Sequence, residues 1–388
     1  VPQKKIRILL TGGGTGGHIY PLIAVAQQLQ KKLPEAEIRC FGAPDSYYKF
    51  VLENRGIEIS KIAASKLRRY FSLGNFWDFF KFFWGLIQSF WKIFWFMPDA
   101  AFSKGGPGAL PIILACRWYQ IPIFIHESDA APGLTNKISA KYAKKIFLAF
   151  EAAREYFEGK IKTEIAVVGQ PVREDALVKE EKEIAKRLFS FNPQMPVILV
   201  LGGSQGSSRI NDFILENLET LLAKFQIIHQ IGRDKYDEYK NGYDFISQKF
   251  SQILKNNYQP VPYLNGQTKN LRDAFNAADL VISRAGAGAI FETAARGIPA
   301  ILIPLPESAN GHQKVNAYEY AGSGAGIVIE EENLLPHIVI AAAEKILSNR
   351  EAWNKMSEAA RKFYQPDAAE KIAAAICEQF MSNHEYTN

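Results

Sequence analysis

Cysteine is scarce in this chain: Cys40, Cys116 and Cys377 stand singly and far apart in 388 residues. That spacing excludes a disulfide framework and fits a reducing compartment. Low-complexity tracts are absent apart from one aromatic segment. A secretory leader is not read either, because VPQKKIRILLTGGG passes from a basic start straight into a short apolar run and a glycine turn. Long uncharged runs are missing too. In the most apolar stretch, Phe76 to Met97, the charges of Asp78, Lys81 and Lys92 leave Phe82 to Trp91 as the longest uncharged piece, too short to span a bilayer. The expectation is a cytoplasmic protein without a transmembrane segment.

What is present is a large apolar fraction. The 47% hydrophobic content excludes disordered and collagen-like classes, and the length suits two domains, each able to bury its own core. Charge is unevenly divided. Of 46 Lys plus Arg and 40 Asp plus Glu, residues 1–170 carry 23 and 13, or +10, whereas residues 171–388 carry 23 and 27, or −4. A uniformly basic chain would point to nucleic acid; a one-sided one asks what acidic surface its first half faces. Aromatics are just as uneven, with four of the six Trp and eight of the 26 Phe between Phe76 and Met97.

Two apolar runs, Ile6 to Leu10 and Val197 to Leu201, lead into the glycine loops GGGTGGH and GGSQGS, whose first glycines are Gly12 and Gly202. Deeper in each half, Ser103-Lys104-Gly105-Gly106-Pro107-Gly108-Ala109 resembles Ser283-Arg284-Ala285-Gly286-Ala287-Gly288-Ala289 at an offset of 180. An Ile-Pro, an apolar run and Glu-Ser follow both, with Glu127 and Glu307 again 180 apart. Strands that read as continuous apolar runs and alternate with helices indicate parallel sheets covered on both faces. Two similarly wound α/β halves explain the repeat. Their glycine loops then lie at the carboxyl ends of strands, where such folds bind ligands. The switch between halves is placed near Gly169-Gln170-Pro171-Val172-Arg173, and a helix from Asp367 to Met381 closes the chain.

Gly12 to Gly17 satisfies G-x-G-x-x-G, but the second strand, Ile38 to Gly42, ends in Gly-Ala without the acidic residue that a dinucleotide ribose needs. His18-Ile19 stand where a P-loop has Lys and Ser or Thr, which disfavours an ATPase. What remains is a loop whose N–H groups, at a helix start, approach an anion. A turn without a ligand explains one such loop, not four in register. His18 sits where the helix dipole disfavours imidazolium, so a neutral base stays available. His126-Glu127 end an apolar run and are expected to point into the ligand crevice, which makes Glu127 and Asp129 candidate carboxylates; loop capping is the plain alternative for Asp129. In the second half, the small residues from Ala285 to Ala289 allow close approach to a pyrophosphate. Glu292 either complements the helix dipole or accepts two hydrogen bonds from a ribose diol.

GGGTGGHIYPLIAVAQQL, HESDAAPGLTN, GQPVR, LGGSQGSSRIN, SRAGAGAIFETAARGIPAILIPLP and HQKVNA, in this order, resemble the MurG family of bacterial peptidoglycan glycosyltransferases, from about Ile6 to about Glu370. The resemblance implies the GT-B architecture: two Rossmann-like doubly wound domains facing across a cleft. It divides the chain into residues 1–170, an acceptor and membrane-associating domain; 171–365, a UDP-sugar domain; and 366–388, a helix returning to the first. The implied reaction is an inverting transfer of N-acetylglucosamine from UDP-N-acetylglucosamine to the muramoyl 4-hydroxyl of lipid I, giving lipid II and UDP.

The resemblance also implies a site. The diphosphate would lie near Ser204, Gln205 and the helix start formed by Ala287, Gly288, Ala289, Ile290 and Phe291. The ribose would lie on Glu292, the uracil near Leu264 and the sugar by Gln313, with Arg173 reaching the nucleotide sugar. Thr15, Gly16, Gly17 and Asp129 would close on the donor from the first domain. His18 or Glu127 would be the general base, and one sequence does not choose between them. No cofactor and no metal are implied. Neither is nucleic acid.

Three departures stand out. Asp129 occupies the place of an amide in the family's HEQN; Gly105 to Pro111 lacks the family's hydroxyl; and Ala285 replaces a Ser. Another GT-B enzyme using a UDP sugar, a glycolipid synthase or a UDP-N-acetylglucosamine epimerase, is the alternative. A scaffold without catalysis and a nicotinamide oxidoreductase are more distant. The aromatic segment reads either as core or, with Lys66, Arg68, Arg69, Lys81 and Lys92 nearby, as a belt for an anionic inner leaflet. The family is peripheral at the cytoplasmic face of the membrane. Protein partners, other wall-synthesis enzymes among them, leave no mark in one sequence.

Overall fold

The computed structural model of the chain describes residues 5–14, 16–64, 74–106, 108–203, 205–264 and 270–381. Thr15, Ser204, Lys66, Arg68, Arg69 and Pro107 lie outside the described residues. The chain forms two units, one of residues 1–173 with 365–388 and the other of residues 174–364.

In the first unit the strands are β1 (Arg7–Gly12), β2 (Glu37–Gly42), β3 (Glu58–Lys61), β4 (Ala100–Ser103), β5 (Ile123–Glu127), β6 (Lys145–Leu148) and β7 (Glu164–Val167). They form one parallel sheet in the order β3-β2-β1-β4-β5-β6-β7. In the second unit they are β8 (Val197–Leu201), β9 (Gln226–Gln230), β10 (Tyr258–Val261), β11 (Leu280–Ser283), β12 (Ala300–Leu302) and β13 (Gly326–Val328). Their order is β10-β9-β8-β11-β12-β13, also parallel. Each sheet is therefore doubly wound, and its order reverses beside its first strand: between β1 and β4, and between β8 and β11. The 180-residue repeat has this physical basis, since Ser103 and Ser283 end equivalent strands.

Burial explains the all-apolar strands. Ile8, Leu9 and Leu10 of β1 and Val197 to Val200 of β8 are at most 1% exposed, because helices cover both faces. The last helix, Ala368–Met381, lies on the Gly16–Lys32 helix, where Ile372, Ala373 and Ile376 enter the first unit's core and Lys32 pairs with Glu370 at 3.2 Å.

The aromatic segment forms the helix Gly74–Phe96, which packs against the helix Ala109–Trp118. Only one stripe of it is core. Ser89, Ile93 and Phe96 are buried, and Ser89 Oγ donates to the Gly85 carbonyl at 2.7 Å. The opposite face is open to solvent: Trp77, Trp84, Trp91 and Trp95 are 57–67% exposed and Trp118 of the neighbouring helix is 74% exposed. Phe82 is half-buried. No helix among the described residues is long and apolar enough to cross a membrane.

The second unit buries His229 between Tyr258, whose hydroxyl lies 2.8 Å from Nδ1, and Asn211, 3.1 Å from Nε2. Burial pulls its pKa down from 6.5 to about 3. A folded-state value below the unfolded one gives stability that is full above pH 6.5 and declines as the pH falls toward 3. Between pH 7 and 5 the loss from this group is about 2 kcal/mol. Urea unfolding followed across that range is expected to show it, and His229→Gln to flatten the slope; an unchanged slope would contradict the assignment.

Candidate functional site

The first unit's cluster is built at the carboxyl ends of β1, β4 and β5. His18 lies in the first turn of the Gly16–Lys32 helix, half-buried. Its ring is lodged between two glycine loops: a Cβ on Gly13 would come 2.9 Å from Nδ1, and one on Gly106, where φ is +85°, 2.9 Å from Nε2. Only side-chain-free residues leave room for the imidazole there. Gly17 has open space in front of it, whereas Gly16 is buried against Tyr48.

Glu127 differs from the sequence expectation. It is 4% exposed, and its carboxylate is turned to the loop that follows β5. Oε1 accepts the Asp129 N–H at 3.0 Å, and Oε2 accepts the Gly133 N–H at 3.2 Å and Asn136 Nδ2 at 2.9 Å. Three donors hold the carboxylate as a clasp on residues 127–136. His126 is also turned inward: buried, it places Nε2 2.8 Å from the Gly169 carbonyl, to which it donates, and takes a hydrogen bond from Lys104 on Nδ1. Burial and the Lys104 charge hold its pKa well below the ordinary value, so the ring is neutral.

Lys104, which directly follows β4, is 2% exposed and donates to His126 Nδ1, Ser128 Oγ and, at 3.3 Å, Gln170 Oε1. Burial pulls this lysine down to about 7, against the Glu127 and Asp129 carboxylates, which act the other way. Burial and then Asp129 push Glu127 up to about 7, against its hydrogen bonds. Asp129 itself is half-buried, and Arg173 stacks its guanidinium 4.1 Å from the centre of the Tyr20 ring.

The second unit's cluster lies after β8, β11 and β12. Gly206, at φ +73°, passes so close to the Ile231 carbonyl that any side chain would collide with it. Ser207 caps the helix Ser208–Glu216 through the Ile210 N–H, and Gln205 is exposed. The helix Ala287–Arg296 starts at Gly286 without a side-chain cap, and a Cβ on Gly286 or Gly288 would meet nothing within 4 Å. Open N–H groups at a helix start suit an anion.

The predicted residues around that start divide into two kinds. Ile290 and Phe291 are fully buried, with Phe291 against Phe363, so they can offer a ligand only backbone. Ala287 is 6% exposed, Gly288, Ala289 and Glu292 are half-buried, and Glu292 lies one helical turn along. Leu264 is also a core side chain, 4% exposed. Its N–H donates to Gln230 Oε1 at 3.1 Å while Gln230 Nε2 donates to the Gly203 carbonyl at 3.2 Å, which ties it to the β8 loop. Gln313 anchors Oε1 on the Leu305 N–H at 3.1 Å, leaving its amide nitrogen as the donor end.

Sequence reasoning missed Arg284. It reaches Ser207 Oγ at 2.7 Å from Nη2, the Ile303 carbonyl at 3.2 Å from Nη1, and Glu331, so that one guanidinium joins three loops. Burial and Arg209 pull its pKa down to about 10. The available signal was the repeat itself, since Lys104 and Arg284 occupy the same place in it. Among the described residues no group of His, Cys, Asp and Glu is arranged to hold a metal ion.

Residues 8–148 match the model of the glycosyltransferase family 28 N-terminal domain, and residues 197–372 that of the family 28 C-terminal domain. The UDP-N-acetylglucosamine–N-acetylmuramyl-(pentapeptide) pyrophosphoryl-undecaprenol N-acetylglucosamine transferase of Clostridium botulinum is 36% identical over 354 residues, covering 91% of this chain and 94% of the relative. The chain belongs to glycosyltransferase family 28 and, within it, to the MurG enzymes. A Bacillus cereus MurG-type transferase is 35% identical over 373 residues, with 96% of this chain and 99% of the relative covered. The crystal structure of Acinetobacter baumannii MurG has a TM-score of 0.71 at 25% identity, covering 96% of this chain and 99% of that one. Each unit thus has the Rossmann-like fold of which GT-B enzymes carry two. A Listeria monocytogenes structure described as a putative UDP-N-acetylglucosamine 2-epimerase, TM-score 0.68 at 16% identity over 97% of each chain, shares the fold.

Proposed function

We propose that this MurG-family chain transfers N-acetylglucosamine from UDP-N-acetylglucosamine to the muramoyl 4-hydroxyl of lipid I, with inversion, giving lipid II and UDP for peptidoglycan synthesis. The carrying observation is similarity to such transferases across more than nine-tenths of the chain.

His18, seated between the Gly13 and Gly106 loops, is the general base. Its imidazole takes the hydroxyl proton as that oxygen attacks the anomeric carbon. Glu127 is a positioning residue, because its oxygens already hold the loop that carries Asp129. In the second unit the uncapped N–H groups at Ala287, Gly288 and Ala289 receive the diphosphate. Fixed donors of this kind stabilise the charge that develops on departing UDP. Gln205 and the loop position of Ser204 serve the same phosphates. Glu292 takes the ribose diol, Leu264 lies at the uracil, and Gln313 offers its amide nitrogen to the sugar. Thr15, Gly16, Gly17, Asp129 and Arg173 are the first unit's residues for the donor.

Replacing Glu292 by Ala removes two hydrogen bonds to a charged acceptor, each contributing roughly 1.5–3 kcal/mol. The KM for UDP-N-acetylglucosamine is expected to rise at least about tenfold, with a smaller change in kcat. Initial-rate kinetics measure it; an unchanged KM would remove the ribose assignment.

The same reading puts the enzyme on the cytoplasmic face of the membrane as a peripheral protein. Support comes from the exposed Trp face of the Gly74–Phe96 helix, together with exposed Lys81 and Arg117 and the +10 charge of residues 1–170. Aromatic rings beside basic groups suit the headgroup layer of an anionic leaflet.

A further inference from the structure

We propose that Lys104 is the counter-charge of Asp129: its buried ammonium lets this chain keep a carboxylate after β5, where the resembled enzymes carry an amide, and positions that carboxylate toward the donor. The inference rests on the donor-side role of Asp129 proposed above.

A buried ammonium loses its hydration and is retained only where fixed groups replace the lost water. Three groups do so here, and all are neutral. His126 has committed its Nε2 proton to Gly169, so Nδ1 is an acceptor; Ser128 Oγ and Gln170 Oε1 are the others. They match the three N–H bonds of an ammonium. None balances its charge, and among the described residues Lys104 makes no ion pair with a carboxylate. Its equivalent in the repeat is arranged differently: Arg284 pairs directly with Glu331.

The charges acting on Lys104 through space are Glu127 and Asp129. These two carboxylates stand two residues apart, and Asp129 is itself a destabilising neighbour for Glu127. Glu127 has its own compensation in the N–H groups of Asp129 and Gly133 and the Asn136 amide. Asp129 adds a second negative charge to the same turn. Lys104, bonded to Ser128 immediately before it, sets an ammonium against them. Removing the lysine leaves two carboxylates in one turn without the neighbouring ammonium; removing the Asp129 charge as well leaves Glu127 with its three donors. The bonds to Ser128 and Gln170 also fix where the turn sits relative to the segment leading to Arg173.

The two side chains are therefore expected to be coupled. The test is a double-mutant cycle of wild type, Lys104→Met, Asp129→Asn and the double variant. Lys104→Met is expected to raise the KM for UDP-N-acetylglucosamine at least about tenfold in the wild-type background, and less than about threefold in the Asp129→Asn background. Equal penalties in both backgrounds would overturn the proposal and leave Lys104 a structural residue. The urea midpoints of the same four proteins, read without substrate, are expected to show the same coupling. They keep the test independent of the transferase reading: absence of transfer by the wild type would fail that reading, while additive midpoints would fail this one. If Lys104→Met does not fold, a folded double variant supports the coupling and an unfolded one overturns it.

Discussion

His18→Ala is expected to lower kcat by about 10³-fold while leaving UDP affinity within about twofold, since a positioned general base contributes roughly 10²–10⁴. The asymmetry follows from placement. His18 belongs to the first unit, in the imidazole slot formed by Gly13 and Gly106, whereas the proposed diphosphate donors at Ala287 to Ala289 belong to the second. Glu127→Gln has a different signature. An amide replaces one acceptor oxygen by a donor facing an N–H group, so the loop carrying Asp129 loosens. KM and stability then change together, with a smaller loss of kcat. Single-turnover rates beside UDP calorimetry separate the two. Equal kcat for His18→Ala and wild type would move the base elsewhere.

The second large effect concerns the membrane. Burying an aromatic side chain contributes about 1.5–3 kcal/mol, and every 1.4 kcal/mol is tenfold in affinity. Changing Trp84, Trp91 and Trp95 to Ser together is expected to weaken binding to anionic phospholipid vesicles by at least about 100-fold. All three are more than half exposed, so thermal unfolding and UDP binding are expected to stay close to wild type. Phe82 is left in place, because its half-buried ring belongs partly to the packing of the helix. Vesicle sedimentation measures the effect. Undiminished binding by the triple variant would assign membrane contact to another surface.

The doubly wound halves were legible because fully buried parallel strands have no polar face to confuse the pattern. The first strand of each half ran as an unbroken apolar stretch into a glycine loop, and Val197 to Leu201 is β8 residue for residue. The glycines around His18 were legible for a related reason, since close approach leaves no alternative to Gly. Orientation was not. Nothing in the order His126-Glu127-Ser128-Asp129 reveals that two of its side chains turn inward; that depends on Gly133, Asn136 and Gly169 arriving from elsewhere in the chain. Nor does a period-free aromatic run show which stripe is core. Gly85, Ser89, Ile93 and Phe96 became the inner face only once the Ala109–Trp118 helix was beside them. Lys104 and Arg284 were visible as letters in the repeat, but their reach to other loops is a property of three dimensions.

The most direct measurement of the central claim is sugar transfer itself. The full chain is incubated in detergent with lipid I and UDP-N-acetylglucosamine carrying a radiolabel on the sugar; the lipid fraction is counted and the released, unlabelled UDP is quantified by chromatography. The account predicts label in the lipid in one-to-one proportion with UDP, in a β linkage, and almost none with His18→Ala. A lipid fraction without label from the wild-type protein would contradict it.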